Sequence, residues 1–259
     1  MVETKVVIGD CRTELKKLKD ESIRLAVTSP PYNLSKEYAQ YIDDVHLEEW
    51  KRLIKDTFKE VHRVLTKDGS FFLNVSPIPD KKTKEIIPLD AIAWEIAKEE
   101  GFFLRNKIVW HFNNMQNCTN RLSGRWEAIL WFVKDINNYI FNLKDIKIPC
   151  ITQNDKRFKA EEGRNPTDVW YFDRVNNMTK QKLKITEHPC VYPTKMIERI
   201  IKMSSNEGDW VLDPFVGSGT TLLVAKKLHR NSIGIDISPQ YERLIKHRLN
   251  NELGLENFY

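Results

Sequence analysis

Between residues 47 and 65, Leu47, Trp50, Ile54, Phe58, Val61 and Leu65 recur three or four positions apart. That period lays one apolar stripe along a helix and predicts an amphipathic α-helix there. Shorter apolar runs bounded by polar or turn residues predict strands at TKVVIGD (4–10), IRLAVTS (23–29), GSFFLNV (69–75), LRNKIVWHF (104–112) and WEAILWFVK (126–134). KDG (67–69) is expected to end the long helix, with Gly69 as a turn residue, and a polar helix is expected over 11–19. PLDAIAWEIAKEEG (88–101) predicts a helix with proline near its start and glycine at its end. After residue 193 the alternation continues: helix PTKMIERIIKMSS, strand DWVLDP, a helix to about 229, strand SIGIDIS, and a last helix that Ser238 is expected to cap. Strands alternating with helices at both ends argue for an α/β fold built on a doubly wound, mostly parallel sheet.

The pattern fails over 112–125 and 143–187, which are rich in Asn, Lys, Arg and Gln and poor in periodicity. They read as loops or an inserted recognition region. The whole chain has 259 residues, enough for one large α/β domain with an insert. The charge balance, 41 − 36 = +5, is compatible with a polyanionic partner without demanding one. The N-terminus lacks the basic start and apolar run of a signal peptide, and no apolar stretch reaches membrane-spanning length. Cys11, Cys118, Cys150 and Cys190 are scattered, which argues against a disulfide framework or a metal site and fits a reducing cytoplasm.

Two stretches carry chemistry. In TSPPYNL (28–34), two prolines follow a core strand. Prolines lack N–H donors and fix φ, so the loop after the strand is rigid. In VLDPFVGSGTT (211–221), a strand ends at Asp213 and a glycine turn opens a helix. Gly217 and Gly219 allow close backbone approach, and the helix start offers free N–H groups. About twenty residues later a second strand ends at Asp236, where a carboxylate can accept from ribose hydroxyls. The turn is neither GxGxxG nor a P-loop.

Together, and in this order, the stretches resemble the S-adenosylmethionine-dependent DNA amino-methyltransferases that act on cytosine N4 or adenine N6. TSPPY is similar to their catalytic motif and DPFVGSGTT to their cofactor motif. The catalytic motif comes first, as in the permuted beta arrangement, and HPCVYP (188–193) and IGDC (8–11) are similar to further elements of it. The resemblance implies a Rossmann-like methyltransferase fold, S-adenosylmethionine as cofactor, duplex DNA as partner, and room for a cognate restriction endonuclease. It divides the chain into a catalytic half (1–111), a strand pair with a polar target-recognition insert (112–187) and a cofactor-binding half (188–259).

The resemblance also assigns residues. An exocyclic amine is a poor nucleophile because its lone pair is delocalised into the ring; rigid acceptors for its N–H bonds shift the nitrogen towards sp3. The Ser29 hydroxyl and the Pro30 carbonyl supply them, Pro31 stiffens the loop, and Tyr32 stacks on a base extruded from the duplex. Asp213, Phe215, Gly217, Ser218 and Gly219 are expected to form the turn around the methionine portion of the cofactor, with Thr220 and Thr221 beginning the helix and able to hydrogen-bond a carboxylate, Asp236 on the ribose and Ile237 against the adenine. Asp10 and Cys11 reach the adenine edge, or Asp10 simply caps the helix after it; Thr194 caps its own helix and faces the cofactor carboxylate. Tyr192 stands where one common family version has Lys, and His188 is expected to hold its loop rather than act as a base. Arg121, Ser123, Arg125, Lys156, Arg157 and Arg164 are the expected DNA contacts, where arginine reads guanine as a fork or holds phosphate. Trp126, Trp131 and Trp170 are expected to pack in the core. Ser in the catalytic motif leans towards cytosine N4 over adenine N6.

Overall fold

In a computed structural model, residues 2–31, 37–38, 41–42, 46–80, 82–113, 117–149, 163–183, 185–186 and 190–251 are described. The strands are β1 (Thr4–Ile8), β2 (Ile23–Thr28), β3 (Glu37–Tyr38), β4 (Tyr41–Ile42), β5 (Leu65–Val75), β6 (Ile78–Pro79), β7 (Ile86–Ile87), β8 (Phe103–His111), β9 (Trp126–Val133), β10 (Val169–Tyr171), β11 (Trp210–Asp213) and β12 (Asn231–Asp236). The helices are α1 (Cys11–Glu14), α2 (Leu47–Val64), α3 (Leu89–Glu99), α4 (Asn177–Lys182), α5 (Thr194–Ser204), α6 (Thr220–Lys227) and α7 (Pro239–Asn251).

Eight strands form one sheet in the order β1-β12-β11-β2-β5-β9-β8-β10, and two short antiparallel pairs, β3–β4 and β6–β7, stand apart from it. All neighbours in the sheet are parallel except at β9, which runs against both β5 and β8. Seven strands therefore end at one edge, where β9 begins. Chain order reverses at the β11–β2 junction, with β12 and β1 to one side and β5 to the other. Open α/β sheets bind ligands in the crevice at such a switch point.

Helices cover both faces. The stripe of α2 buries Trp50, Ile54, Phe58 and Val61 against Phe71, Phe102 and Phe132. On the other face Met196, Ile197, Ile200 and Ile201 of α5 meet Leu25, Val27, Phe72 and Trp131. Leu222 and Leu223 of α6 pack with Tyr241, Leu244 and Ile245 of α7.

Four expectations need correction. The KDG segment is no turn: α2 ends at Val64 and β5 starts at Leu65. Gly69 sits where the pairing with β2 shifts register, and a Cβ there would lie 2.9 Å from Thr66 O and 3.1 Å from Arg24 O. The helix over 11–19 is one turn followed by a 3-10 turn at Leu15–Lys17. The polar stretch 143–187 contains an edge strand, β10, and the short helix α4. Ser238 does not cap α7 through its side chain, because its buried hydroxyl has no hydrogen-bond partner among the described residues.

Candidate active site at the sheet switch point

β2 delivers Ser29, Pro30 and Pro31 to the same edge at which β11 delivers the glycine turn. The two are tied by one carboxylate. Asp213 Oδ1 accepts from Thr28 Oγ1 at 2.7 Å and Oδ2 accepts from Thr221 Oγ1 at 2.6 Å, while Phe215 N also donates to Oδ1 at 3.2 Å. Asp213 thus joins the residue before Ser29 to the first turn of α6. It is fully buried, and that burial pushes its carboxyl up to about 6 against the three hydrogen bonds that favour the charged form. Asp213 was expected at the methionine portion of the cofactor; its oxygens are instead turned inward as a structural pin. On its other side the Pro-Pro loop is held by α2, where Trp50 Nε1 donates to Pro31 O at 2.7 Å. Neither Thr28 nor Trp50 stood out in sequence. Trp50 read as one more apolar position of a helix stripe.

The glycine turn keeps its backbone bare. Gly217 (φ 49) and Gly219 (φ 77) both adopt left-handed conformations, and a Cβ on Gly219 would meet Ile245 Cγ2 at 2.9 Å. Beneath it lies Arg248 of α7, 1% exposed. Its Nη1 donates to Ser218 O (3.1 Å), Ser218 Oγ (3.2 Å) and Thr220 Oγ1 (2.8 Å). Ser218 and Thr220 are therefore buried bracing points rather than free ligand contacts. Arg248 escaped the sequence reading because an arginine in a polar terminal helix ordinarily faces water.

At the end of β12, Asp236 is half-buried. Gly217 N donates to its Oδ2 at 3.0 Å and Ser238 N to its Oδ1 at 2.9 Å. Each carboxylate oxygen has two lone pairs, so acceptor capacity remains for a ligand. Burial raises the Asp236 pKa, offset by those backbone bonds. The adjoining Ile237 is 47% exposed, an apolar surface at the mouth of the crevice. Gly9 N bonds to Asp236 O at 2.9 Å and brings the end of β1 alongside.

There Asp10 acts as a helix cap. It accepts from Arg12 N at 2.8 Å, and its ion pair with the Arg12 side chain lowers its pKa. Cys11 is turned into the core, its Sγ 3.6 Å from Thr57 Oγ1, and burial pushes its thiol up to about 11. A buried thiol in that position does not reach a ligand edge. Thr194 opens α5, with Pro193 rather than its own hydroxyl at the cap position.

The β9-β8-β10 side, where DNA contacts were expected, is built differently. Loop 117–125 hangs between β8 and β9 at the same edge. Ser123 Oγ accepts from Cys118 N at 3.0 Å, so it closes the loop instead of facing outward. Arg125 Nη2 donates to Asn117 Oδ1 at 3.3 Å, and Arg121 is exposed. Arg164 forms a backbone bridge with Ile148, and its Nε is withdrawn from solvent. Trp131 and Trp170 pack inside as expected; Trp126, 37% exposed, does not, and lies under the Lys107 ammonium. Behind the loop, Glu127 is a buried acid that accepts from Asn74 Nδ2 at 2.6 Å and pairs with Arg174, whose guanidinium covers Phe112 at 3.9 Å. Tyr32, His188, Lys156 and Arg157 lie outside the described residues.

The N6/N4 DNA methylase family model matches residues 23–247. The chain belongs to that family. The methylase is 34% identical over 250 residues to the type II methyltransferase M.ScaI of Streptomyces caespitosus, covering 94% of this chain and 80% of the relative. It is 37% identical to M.BglII of Bacillus subtilis (92% and 66% covered) and 33% identical to the DNA adenine methyltransferase YhdJ of Escherichia coli (95% and 83%). Among solved structures it superposes on the Thermus thermophilus protein TTHA0409 in complex with S-adenosyl-L-methionine, with TM-score 0.68, 25% identity and coverage of 96% and 94%. On the cytosine-N4-specific PvuII methyltransferase the TM-score is 0.74 at 22% identity, covering 97% and 94%, a likeness of fold. The methylase is thus an S-adenosylmethionine-dependent DNA amino-methyltransferase with the Rossmann-like fold of its relatives. The crevice has features that such a cofactor could use: spare lone pairs on Asp236 within reach of ribose hydroxyls, and the exposed apolar side chain of Ile237 at its mouth. Among the described residues no helix is long and apolar enough to cross a membrane, and no cluster of His, Cys, Asp and Glu could hold a metal ion.

Proposed function

We propose that this methylase modifies the exocyclic N4 amine of a cytosine flipped out of duplex DNA. The observation that carries the reading is the Asp213 tie, which holds the Ser29 loop and the glycine turn at adjacent strand ends. Ser29 Oγ and the Pro30 carbonyl accept the two amine N–H bonds and make the nitrogen lone pair available for attack. Tyr32 stacks on the extruded ring. Bound at the glycine turn, S-adenosylmethionine supplies an already reactive sulfonium methyl, so the chain's task is alignment rather than strong base catalysis. Ser29 is too weak an acid to serve as a base at neutral pH; the product nitrogen sheds its proton to water. Asp236 orients the cofactor through its ribose, with Ile237 against the adenine. Arg121 and Arg125 hold phosphate or read guanine in the recognition loop. The names of the type II relatives are consistent with a cognate restriction endonuclease as companion.

Ser at position 29 motivates cytosine over adenine; YhdJ, an adenine enzyme, keeps adenine N6 as the second reading. Methylated DNA digested to nucleosides and weighed decides between them. N4-methylcytosine is expected, and N6-methyladenine establishes the alternative. No radiolabel incorporated into any DNA, with cofactor bound, points to a DNA-binding regulator.

A further inference from the structure

We propose that Arg174 is a DNA-binding residue: its guanidinium is mounted beside the catalytic loop to hold a backbone phosphate next to the extruded nucleotide. The inference rests on the reading above that the methylase flips its target base out of duplex DNA.

β10 ends at the same edge of the sheet as β2, and Arg174 stands just past that end. The segment that carries it is held on both sides. Before it, Phe172 N donates to His111 O at 3.3 Å, and Trp110 Nε1 donates to Phe172 O at 2.8 Å. After it, Asn176 caps α4 by accepting from Thr179 N at 2.8 Å. The side chain is fixed as well. Its Nη2 donates to one oxygen of the buried Glu127, the second residue of β9, whose other oxygen accepts from Asn74 Nδ2 at 2.6 Å. The guanidinium carbon lies 3.9 Å from the centre of the Phe112 ring. Even so, the side chain is 44% exposed, and its other N–H donors have no partner among the described residues.

Stability does not account for this mount. A buried acid paired with an arginine gains little over apolar residues of the same volume, because both charges lose water. What the mount provides is a forked cation in one pose, with one edge fixed and the other open to solvent. Such a group loses little rotamer freedom when it meets a phosphate. Its place also suits that partner. Asn74 and Glu127 lie on β5 and β9, the two strands next to β2, so the anchored carboxylate is about two strand spacings, roughly 10 Å, from the Ser29 loop. A base that swings out about its backbone brings its own phosphates to that border of the pocket.

The test measures binding of the full-length protein, at one salt concentration, to a duplex containing its methylation site as mapped by sequencing the modified bases. The duplex is compared with copies in which a neutral methylphosphonate replaces the phosphate on either side of the target nucleotide. Wild type should bind one of these copies about tenfold more weakly than the unmodified duplex. Arg174→Gln should bind the unmodified duplex about tenfold more weakly than wild type does, and should not distinguish the copies from it. Removing one partner of a buried pair is destabilising. The double variant Glu127→Gln with Arg174→Gln therefore carries the same test without an unpaired buried charge, and should behave as Arg174→Gln does. Affinity for S-adenosylmethionine should stay within twofold in both. Either variant binding the unmodified duplex within twofold of wild type overturns the proposal. So does a variant as sensitive to the neutral linkage as wild type, or a wild type insensitive to it on both sides. Wild type that transfers no methyl to DNA is a different failure: it removes the reading of the reaction itself.

Discussion

The two ends of the sheet edge are built on opposite plans. On the β1-β12-β11 side, polar groups point into the protein: Asp213, Ser218, Thr220 and Arg248 are buried and bonded so as to fix backbone. On the β9-β8-β10 side the chain doubles back through β9 and leaves Arg121, Trp126 and Tyr171 at the surface. The first plan suits a ligand that is always the same, since preorganised backbone needs no adjustment. The second suits a polymer whose sequence must be read, where side chains rather than backbone carry the information. If that division is real, substitutions on one side should spare the function of the other.

The largest effect should follow Asp236→Ala. Gly217 N and Ser238 N lose their acceptor, and with it goes the proposed ribose contact, so cofactor affinity should fall about 100-fold. DNA affinity should stay within twofold. Calorimetric titration of cofactor and a DNA binding curve on the same preparation check both halves. A comparable loss in both would break the division.

Gly219→Ala comes next. It places a Cβ on a left-handed residue, 2.9 Å from Ile245 Cγ2. Strain and overpacking together should cost about 2–3 kcal/mol, read as a melting temperature lowered by roughly 5–10 °C. Gly124, in the loop between β8 and β9, has open space around it, and Gly124→Ala should move the melting temperature by less than about 2 °C.

The contrast also explains what could be read from the chain. The cofactor side announced itself because its glycines and Asp236 sit at strand ends set by clear apolar runs. What stayed hidden there were groups that act from below. Thr28 and Trp50 look like ordinary strand and helix positions, and Arg248 looks like surface, until α7 folds over the glycine turn. Gly69 misled for the opposite reason: it marks a close approach of two strands at a register shift, and its neighbours Lys67 and Asp68 suggest a turn. β10 is three residues long, too short to show a period, and exists because β8 offers it an edge. Ser123 and Arg164 have DNA-contact chemistry, but Ser123 Oγ accepts from Cys118 N and closes its loop, while Arg164 is engaged through its backbone with Ile148.

A smaller effect concerns pH. In the folded protein Asp213 binds its proton more tightly than an exposed aspartate does, because burial raises its pKa to about 6 from 3.8. Its contribution is therefore most favourable below the unfolded value and is lost as pH rises through about 6. The slope between about pH 4 and 6 is worth on the order of 2 kcal/mol. Asp213→Asn keeps an acceptor for one threonine and removes the titration. Relative to wild type it should gain stability between pH 5 and pH 8, seen as a difference in melting temperature that grows with pH. A constant difference would mean that the carboxylate is charged throughout, its desolvation offset by Thr28 and Thr221.

The smallest expected effect lies on the β9-β8-β10 side and sharpens the division most. Arg121 is exposed and, among the described residues, its side chain donates only to Leu122 O, so nothing described in the fold depends on its charge. If it holds phosphate, Arg121→Ala should weaken DNA binding about threefold, equally for target and non-target sequences, and reduce the slope of log affinity against log salt by roughly one. If it reads a guanine, the loss should be larger on the target duplex alone, with the same small change in salt slope. Cofactor affinity should not move in either case, because the glycine turn follows β11, which lies across β5 and β2 from this loop. A change in cofactor affinity on Arg121→Ala would show that the loop reaches back over the switch point, and that the two plans share a surface.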